Sequence, residues 1–222
     1  GYANEGKSAH KFLKSLPEFK DAIFEIRDQK NGENYLDNLD TFNLLIKTPG
    51  LPWKLKEINE AHQRGIPITS VTDLFFKYSP STIIGVTGTK GKGTTSTLIY
   101  LILKAAGFDA YLAGNIGTPA LEVLSKLKKT SYAVLELSSF QLQNLKVSPK
   151  IAVVIDIFPD HLDAHKNFKE YINAKANIAR FQKKEDKVFY FETNKYSKWI
   201  AHEGSAKKIS VTAKDGENYL HK

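Results

Sequence analysis

Cysteine and methionine are both absent from the 222 residues. Without cysteine there can be no disulfide, no thiolate metal site and no cysteine nucleophile, which agrees with a reducing compartment. Without methionine, and with Gly1 in first place, the natural start is expected to lie upstream. No apolar run approaches the ~20 residues of a membrane-spanning helix, and no charged-then-apolar leader opens the chain. A cytoplasmic protein with no membrane partner is therefore expected. Internal repeats and low-complexity segments are also missing. So is any basic block interleaved with aromatics, the usual footprint of a nucleic-acid face. The excess of 32 Lys and Arg over 24 Asp and Glu, a net charge of +8, is then either solvated surface or an attraction for small anions such as nucleotides. No nucleic-acid partner is expected.

What is present, 41% hydrophobic residues, suffices for one large core or two smaller ones. The chain alternates short apolar runs with helical patterns. In the first part, a helix is expected over 9–16, strands over 22–26 and 44–47, and a helix over 52–64 closed by Gly65. A strand over 66–68 and a helix over 71–77 follow, the latter capped by Ser70 with Asp73. Pro80 marks a linker, which divides the chain into domains 1–79 and 80–222. The second part has expected strands at 82–86, 110–113, 132–137, 151–157 and 187–191, with helices at 92–106, 119–127 and 168–181. Runs such as Ile151-Ala152-Val153-Val154-Ile155 describe strands buried on both faces, hence mostly parallel sheets. Both parts read as three-layer α/β.

The stretch Thr87-Gly88-Thr89-Lys90-Gly91-Lys92-Gly93-Thr94-Thr95 stands between an apolar strand and an apolar helix. Glycines there let backbone N–H groups close around an anion, the helix N-terminus adds partial positive charge, and Lys92 can reach the outer phosphates. A nucleoside triphosphate is the expected ligand, held by Gly88 to Thr95. The loop is shorter than its commonest version, since position 86 is Val. Gly93 also replaces the hydroxyl that usually follows the lysine and meets Mg²⁺, leaving Thr94 or Thr95 as candidates.

Ligands of parallel α/β sheets collect at the carboxyl ends of strands, and three more polar segments stand there. These are Gly114-Asn115-Ile116-Gly117, Glu136-Leu137-Ser138-Ser139-Phe140-Gln141-Leu142, and the run from Asp156 to His165. A carboxylate at the end of an apolar strand is costly without a partner, so Glu136 reads as a Mg²⁺ ligand, or else as a solvated charge at the sheet rim. Asp160, His161, Asp163 and His165 form either a metal cluster or ordinary surface charge. Lys175, among small and apolar neighbours, is either a surface helix lysine or an amine whose pKa is lowered enough to react with CO₂.

The phosphate loop, Gly-Asn-Ile-Gly, Glu-Leu-Ser-Ser-Phe-Gln-Leu, Pro-Asp-His-Leu-Asp-Ala-His and Tyr-x-x-Ala-Lys, in this order, resemble the Mur ligases of peptidoglycan synthesis. The resemblance spans essentially the whole chain. It implies a Rossmann-like N-terminal domain and a P-loop ATPase-like central domain, and the Glu-Leu-Ser-Ser-Phe-Gln-Leu segment is similar to the D-glutamate-adding branch. The implied activity is ATP-dependent amide ligation through an acyl phosphate, with UDP-N-acetylmuramoyl-L-alanine and D-glutamate as substrates and a monomer as the expected state. It further implies catalytic roles for Lys92, Glu136, His161 and Lys175. Of two Mg²⁺ ions, the first would be held by Glu136 with Thr94, the second by His161 and a carbamylated Lys175. Asn115, Ser138 and Gln141 would meet the muramoyl substrate, Asn4 and Glu5 the uridine diphosphate, and Asp28, with Gln29 and Lys30, the uracil end. The family's amino-acid-binding C-terminal domain and its late Gly-x-His-Asn segment would follow Lys222. A polypeptide ending there is expected to bind without useful turnover. A different ligase of the superfamily, including the folylpolyglutamate type, and a non-catalytic nucleotide-binding module remain alternatives.

Overall fold

In the computed structural model, residues 2–116, 118–161 and 164–212 are described. The chain divides between Tyr78 and Ser79 into two units, and the segment Pro119–Ser125 joins the first.

The first unit contains α1 (Asn4–Lys14), β1 (Leu45–Lys47), α2 (Lys56–Gln63), β2 (Ile68–Ser70) and α3 (Val71–Tyr78). The two strands pair in parallel with Leu45 opposite Ile68 and Lys47 opposite Ser70. A small core of Leu39, Ile58 and Ala61 gathers Leu45, Trp53, Leu55 and Ile68 around it. The expected cap of α3 is present: Asp73 N–H donates to Ser70 Oγ at 3.0 Å, and Ser70 N–H donates to the Asp73 carboxylate at 3.1 Å. The expected strand over 22–26 is not. That stretch lies outside any strand, with Ile23 99% exposed, and together with α1 and residues 41–48 it lines a cavity of about 680 Å³. A β-branched and aromatic composition favours extended backbone, but a strand also needs a ladder partner, and among the described residues this stretch has none.

Among its described residues the second unit holds a six-stranded sheet, all parallel, in the order β4-β5-β3-β6-β7-β8. Its strands are β3 (Thr82–Thr87), β4 (Ala110–Gly114), β5 (Tyr132–Glu136), β6 (Ile151–Val154), β7 (Lys187–Phe191) and β8 (Lys207–Val211). β3 is central and buried from Ile83 onward, as its unbroken apolar run requires. One face is covered by α4 (Lys92–Ala105), whose Ile99, Tyr100 and Leu103 pack on Ile84, Val86 and Val134. Two more helices are α7 (Phe168–Arg180), which packs against β3, and α8 (Lys195–Ala201), which packs against β6, β7 and α7. Among the described residues two further short α-helices are α5 (Ala120–Val123) of the first unit and α6 (Ser139–Leu142) just after β5. From β3 the chain moves outward to β4, returns through β5 and crosses to β6. The carboxyl ends of β5, β3 and β6 therefore lie side by side at the point where the winding reverses, which is where such sheets bind ligands.

Beyond β7 the chain forms α8 and β8, which are not among the expected elements. β8 reads Lys-Lys-Ile-Ser-Val with an exposed and half-buried pattern, too polar to stand out as a strand. What docks α8 is Ser197, fully buried, whose hydroxyl donates to the Val154 carbonyl at 2.6 Å and accepts from Phe191 N–H at 3.0 Å. Ser197→Ala leaves both backbone groups without that partner. It is expected to destabilise the second unit by about 1–3 kcal/mol, whereas Leu101→Ala, on the exposed side of α4, should stay within ~0.5 kcal/mol. Urea denaturation of the two variants checks the contrast.

Candidate active site

The loop from β3 to α4 passes so close to the end of β6 that no side chain fits at residue 88. A Cβ there would lie 2.2 Å from Ile155 Cγ1. Gly91 takes φ of +83° to start α4, a conformation L-residues rarely adopt. Thr89 N–H donates to the Asp156 carbonyl at 2.7 Å, but among the described residues the N–H groups from Lys90 to Thr94 have no backbone acceptor. Five successive donors at the start of a 14-residue helix form a concavity suited to an anion. Lys92 Nζ donates to the Thr89 carbonyl at 2.9 Å, so its ammonium is folded back over the loop. Thr94 is exposed and Thr95 half-buried on the first turn of α4.

The Thr89 side chain is engaged within the protein. Its hydroxyl donates to the Phe158 carbonyl at 3.0 Å, accepts from Phe158 N–H at 2.9 Å, and lies 3.0 Å from the Tyr171 hydroxyl. One side chain thus ties the loop to the segment after β6 and to α7. Tyr171 opens the Tyr-x-x-Ala-Lys segment, four residues before Lys175 on the same helix face.

Glu136 ends β5 with 5% of its surface exposed. Asn115 Nδ2 donates to its Oε1 at 3.0 Å. A Cβ on Gly93 would lie 3.1 Å from its Oε2, so the carboxylate faces the start of α4 at the very residue that lacks a side chain. Gly114, at φ +102°, brings its backbone so near the Glu136 carbonyl that a Cβ would sit 2.7 Å from it. Ser138 and Gln141 form the capping box of α6: the Gln141 side chain accepts from Ser138 N–H at 3.0 Å, and Gln141 N–H donates to Ser138 Oγ at 3.3 Å.

Lys175 is buried, not a surface helix lysine: 1% exposed, it donates to the Gly88 carbonyl at 2.8 Å and to Thr87 Oγ1 at 3.3 Å. Its amine lies 4.8 Å from the Tyr171 ring centroid. Burial, and then the nearby charge of Lys92, push its pKa down to about 7, against the opposing pull of Asp160 and Glu136. Lys92, Asp160 and Glu136 thus all lie within electrostatic reach of Lys175.

The expected cluster of Asp160, His161, Asp163 and His165 comes together only in part. Asp163 lies outside the described residues, as does Gly117. His165 is buried, stacked on Phe140 at 5.2 Å, with Nε2 3.0 Å from Ser139 Oγ. His161 is exposed at φ +52°, its Nε2 3.6 Å from Asp160. Among the described residues no group of three or more His, Asp or Glu is placed to hold a metal alone. In the first unit Asn4 and Glu5 open α1, while Asp28 caps the turn at 29–31, accepting from the N–H groups of Lys30 and Tyr2. The pKa of Asp28 is lowered by those two backbone bonds.

Residues 86–222 match the family model of the Mur ligase middle domain. The chain belongs to the Mur ligase family. It is 43% identical over 183 residues to the UDP-N-acetylmuramoylalanine–D-glutamate ligase of Acetivibrio thermocellus, covering 82% of this chain and 39% of that protein. With the ligase of the same name from Clostridium acetobutylicum it shares 48% over 153 residues, 69% of this chain and 33% of that one. The chain thus spans less than half the length of these curated relatives. Among solved structures, the Neisseria meningitides UDP-N-acetylmuramate:L-alanyl-γ-D-glutamyl-meso-diaminopimelate ligase aligns with a TM-score of 0.55 at 14% identity, over 89% of this chain and 67% of that one. An Acinetobacter baumannii UDP-N-acetylmuramoylalanyl-D-glutamyl-2,6-diaminopimelate–D-alanyl-D-alanyl ligase aligns at 0.52 and 16% identity, over 92% and 53%. At such identities these two establish the shared α/β fold of the Mur ligases and nothing finer.

The depressed pKa of Lys175 has a measurable consequence. The unfolded chain holds this proton up to ~10.4, the folded chain only up to about 7, so between those values folding releases a proton and raising the pH favours the native state. Removing the amine removes that dependence. The stability of Lys175→Met relative to wild type should therefore be most favourable at and below pH 7 and decline towards pH 10. Urea denaturation at pH 6, 7.5 and 9 reads the trend.

Proposed function

We propose that this chain is the substrate- and nucleotide-binding part of a ligase that joins D-glutamate to UDP-N-acetylmuramoyl-L-alanine, driven by ATP. The observation that carries the reading is the convergence of Lys92, Glu136 and Lys175 on a loop with five N–H groups that have no backbone acceptor among the described residues. The relatives' names supply the substrates.

In this reading the backbone from Gly88 to Thr95 cradles the triphosphate, and Lys92 exchanges the Thr89 carbonyl for phosphate oxygens. The L-alanyl carboxylate of the muramoyl substrate attacks the γ-phosphorus, ADP leaves, and the amine of D-glutamate displaces phosphate from the acyl phosphate. Protein chemistry in such a transfer is mainly positioning and neutralisation of charge. Asn115 orients Glu136 by its 3.0 Å hydrogen bond, Thr89 holds the loop to α7, and Ser138 and Gln141 fix the turn after β5 beside the muramoyl carboxylate. Mg²⁺ would neutralise the transferring phosphoryl group. Glu136 and Thr94 would hold one ion, and His161 with a carbamylated Lys175 a second. The neutral fraction of Lys175 supports that modification, because only a deprotonated amine attacks CO₂, forming an N–C bond and releasing a proton. In the first unit Asn4, Glu5 and Asp28 would meet the uridine diphosphate.

Calorimetric titration tests the reading. UDP-N-acetylmuramoyl-L-alanine is expected to bind, UDP-N-acetylglucosamine to bind more weakly, and an ATP analogue with Mg²⁺ to bind separately. Lys92→Met should weaken the ATP analogue about 10- to 100-fold, the worth of a charge-assisted hydrogen bond, without changing the muramoyl affinity. ATP binding with no selectivity for the muramoyl nucleotide would move the chain to another ligase of the family or to a nucleotide-binding module.

A further inference from the structure

Lys47 belongs to none of the motifs above, yet it is the buried ammonium of the first unit. It ends β1 and is 4% exposed. Its Nζ donates to the Thr48 carbonyl at 3.1 Å and lies 5.0 Å from the Trp53 ring centroid. The charged groups that face it are Glu5, in the first turn of α1, and Asp73, in the first turn of α3. Neither makes an ion pair with it among the described residues, and the Asp73 carboxylate is engaged by the hydroxyl and N–H of Ser70.

An ammonium removed from water is costly unless its charge and its three N–H donors are compensated. One carbonyl and one aromatic face are poor compensation, and burial accordingly lowers the pKa of Lys47 to about 8. The arrangement makes sense if the missing charge arrives with a ligand. Lys47 is at the carboxyl end of a parallel strand, where ligands of such sheets bind. It also stands within electrostatic reach of the start of α1, whose Ala3 provides no side-chain cap. Both features favour a group carrying more than one negative charge.

We propose that Lys47 pairs with the diphosphate of the nucleotide sugar and is the residue that makes the first unit hold it. The proposal rests on the reading that this unit binds a uridine diphosphate sugar.

The test uses the whole chain, with UDP as the probe and Lys47→Met and Lys47→Arg as variants. Replacing a buried charge by an apolar side chain of similar length is often neutral or stabilising, so Lys47→Met should fold, and its thermal unfolding verifies this. At pH 7 the Met variant should bind UDP at least 10-fold more weakly than wild type, and the Arg variant within about 3-fold. The amine is charged below about 8, so wild-type affinity should fall between pH 7 and pH 9 while that of Lys47→Met stays flat. A folded Lys47→Met with wild-type affinity for UDP would overturn the proposal and leave the nucleotide-sugar reading standing. Wild type that fails to bind UDP at all would remove the reading itself.

Discussion

The absence of a side chain at Gly88 is the constraint on which the second unit's chemistry depends. Only because nothing projects there can the end of β3 come down on Ile155 and Asp156, and only then do Thr89 and Lys175 reach their partners. Thr89 spans to Phe158 and Tyr171, and Lys175 reaches back from α7 to the Gly88 carbonyl. The strands β5, β3 and β6 would still pair without this approach. Their polar ends would not be drawn around one loop.

The parts of the fold legible in the sequence are those whose physics is local. β3, β5 and β6 announce themselves as unbroken apolar runs, α4 and α7 as helical patterns beside them, and the loop as glycines and a lysine between a strand and a helix. Segments whose state depends on distant partners were harder to read. Residues 22–26 have the composition of a strand but no ladder to join among the described residues, and β8 joins one despite two lysines. The site shows the same division. Glu136 and Lys92 follow from strand-end position and loop chemistry. That Thr89 is a brace, that Ser138 and Gln141 cap a four-residue helix, and that Lys175 is buried against Gly88 all depend on tertiary contacts. Lys47 was invisible because a lone lysine at a strand end is usually solvated; only its burial sets it apart.

Among the described residues two lysines, 47 and 175, are buried, and burial lowers the pKa of each towards neutrality. Their surroundings differ in a way that separates their uses. Lys175 is hemmed in by a carbonyl, a hydroxyl and an aromatic ring, with Lys92 near enough to disfavour its charge. It is suited to being a neutral amine. Lys47 faces two carboxylates that favour its charge, and so is suited to remaining a cation for an anion to meet.

The bond from Lys92 to the Thr89 carbonyl sets a threshold of another kind. Any ligand that takes over this ammonium must outbid a hydrogen bond already made inside the protein, so the gain is a difference between two contacts and not the whole of one. A singly charged or weakly hydrogen-bonding molecule gains little from that exchange. In the proposed reading, a chain of phosphates would gain at Lys92 and at each backbone donor behind it together, so that the loop would discriminate by charge number before any contact with a base or sugar is made.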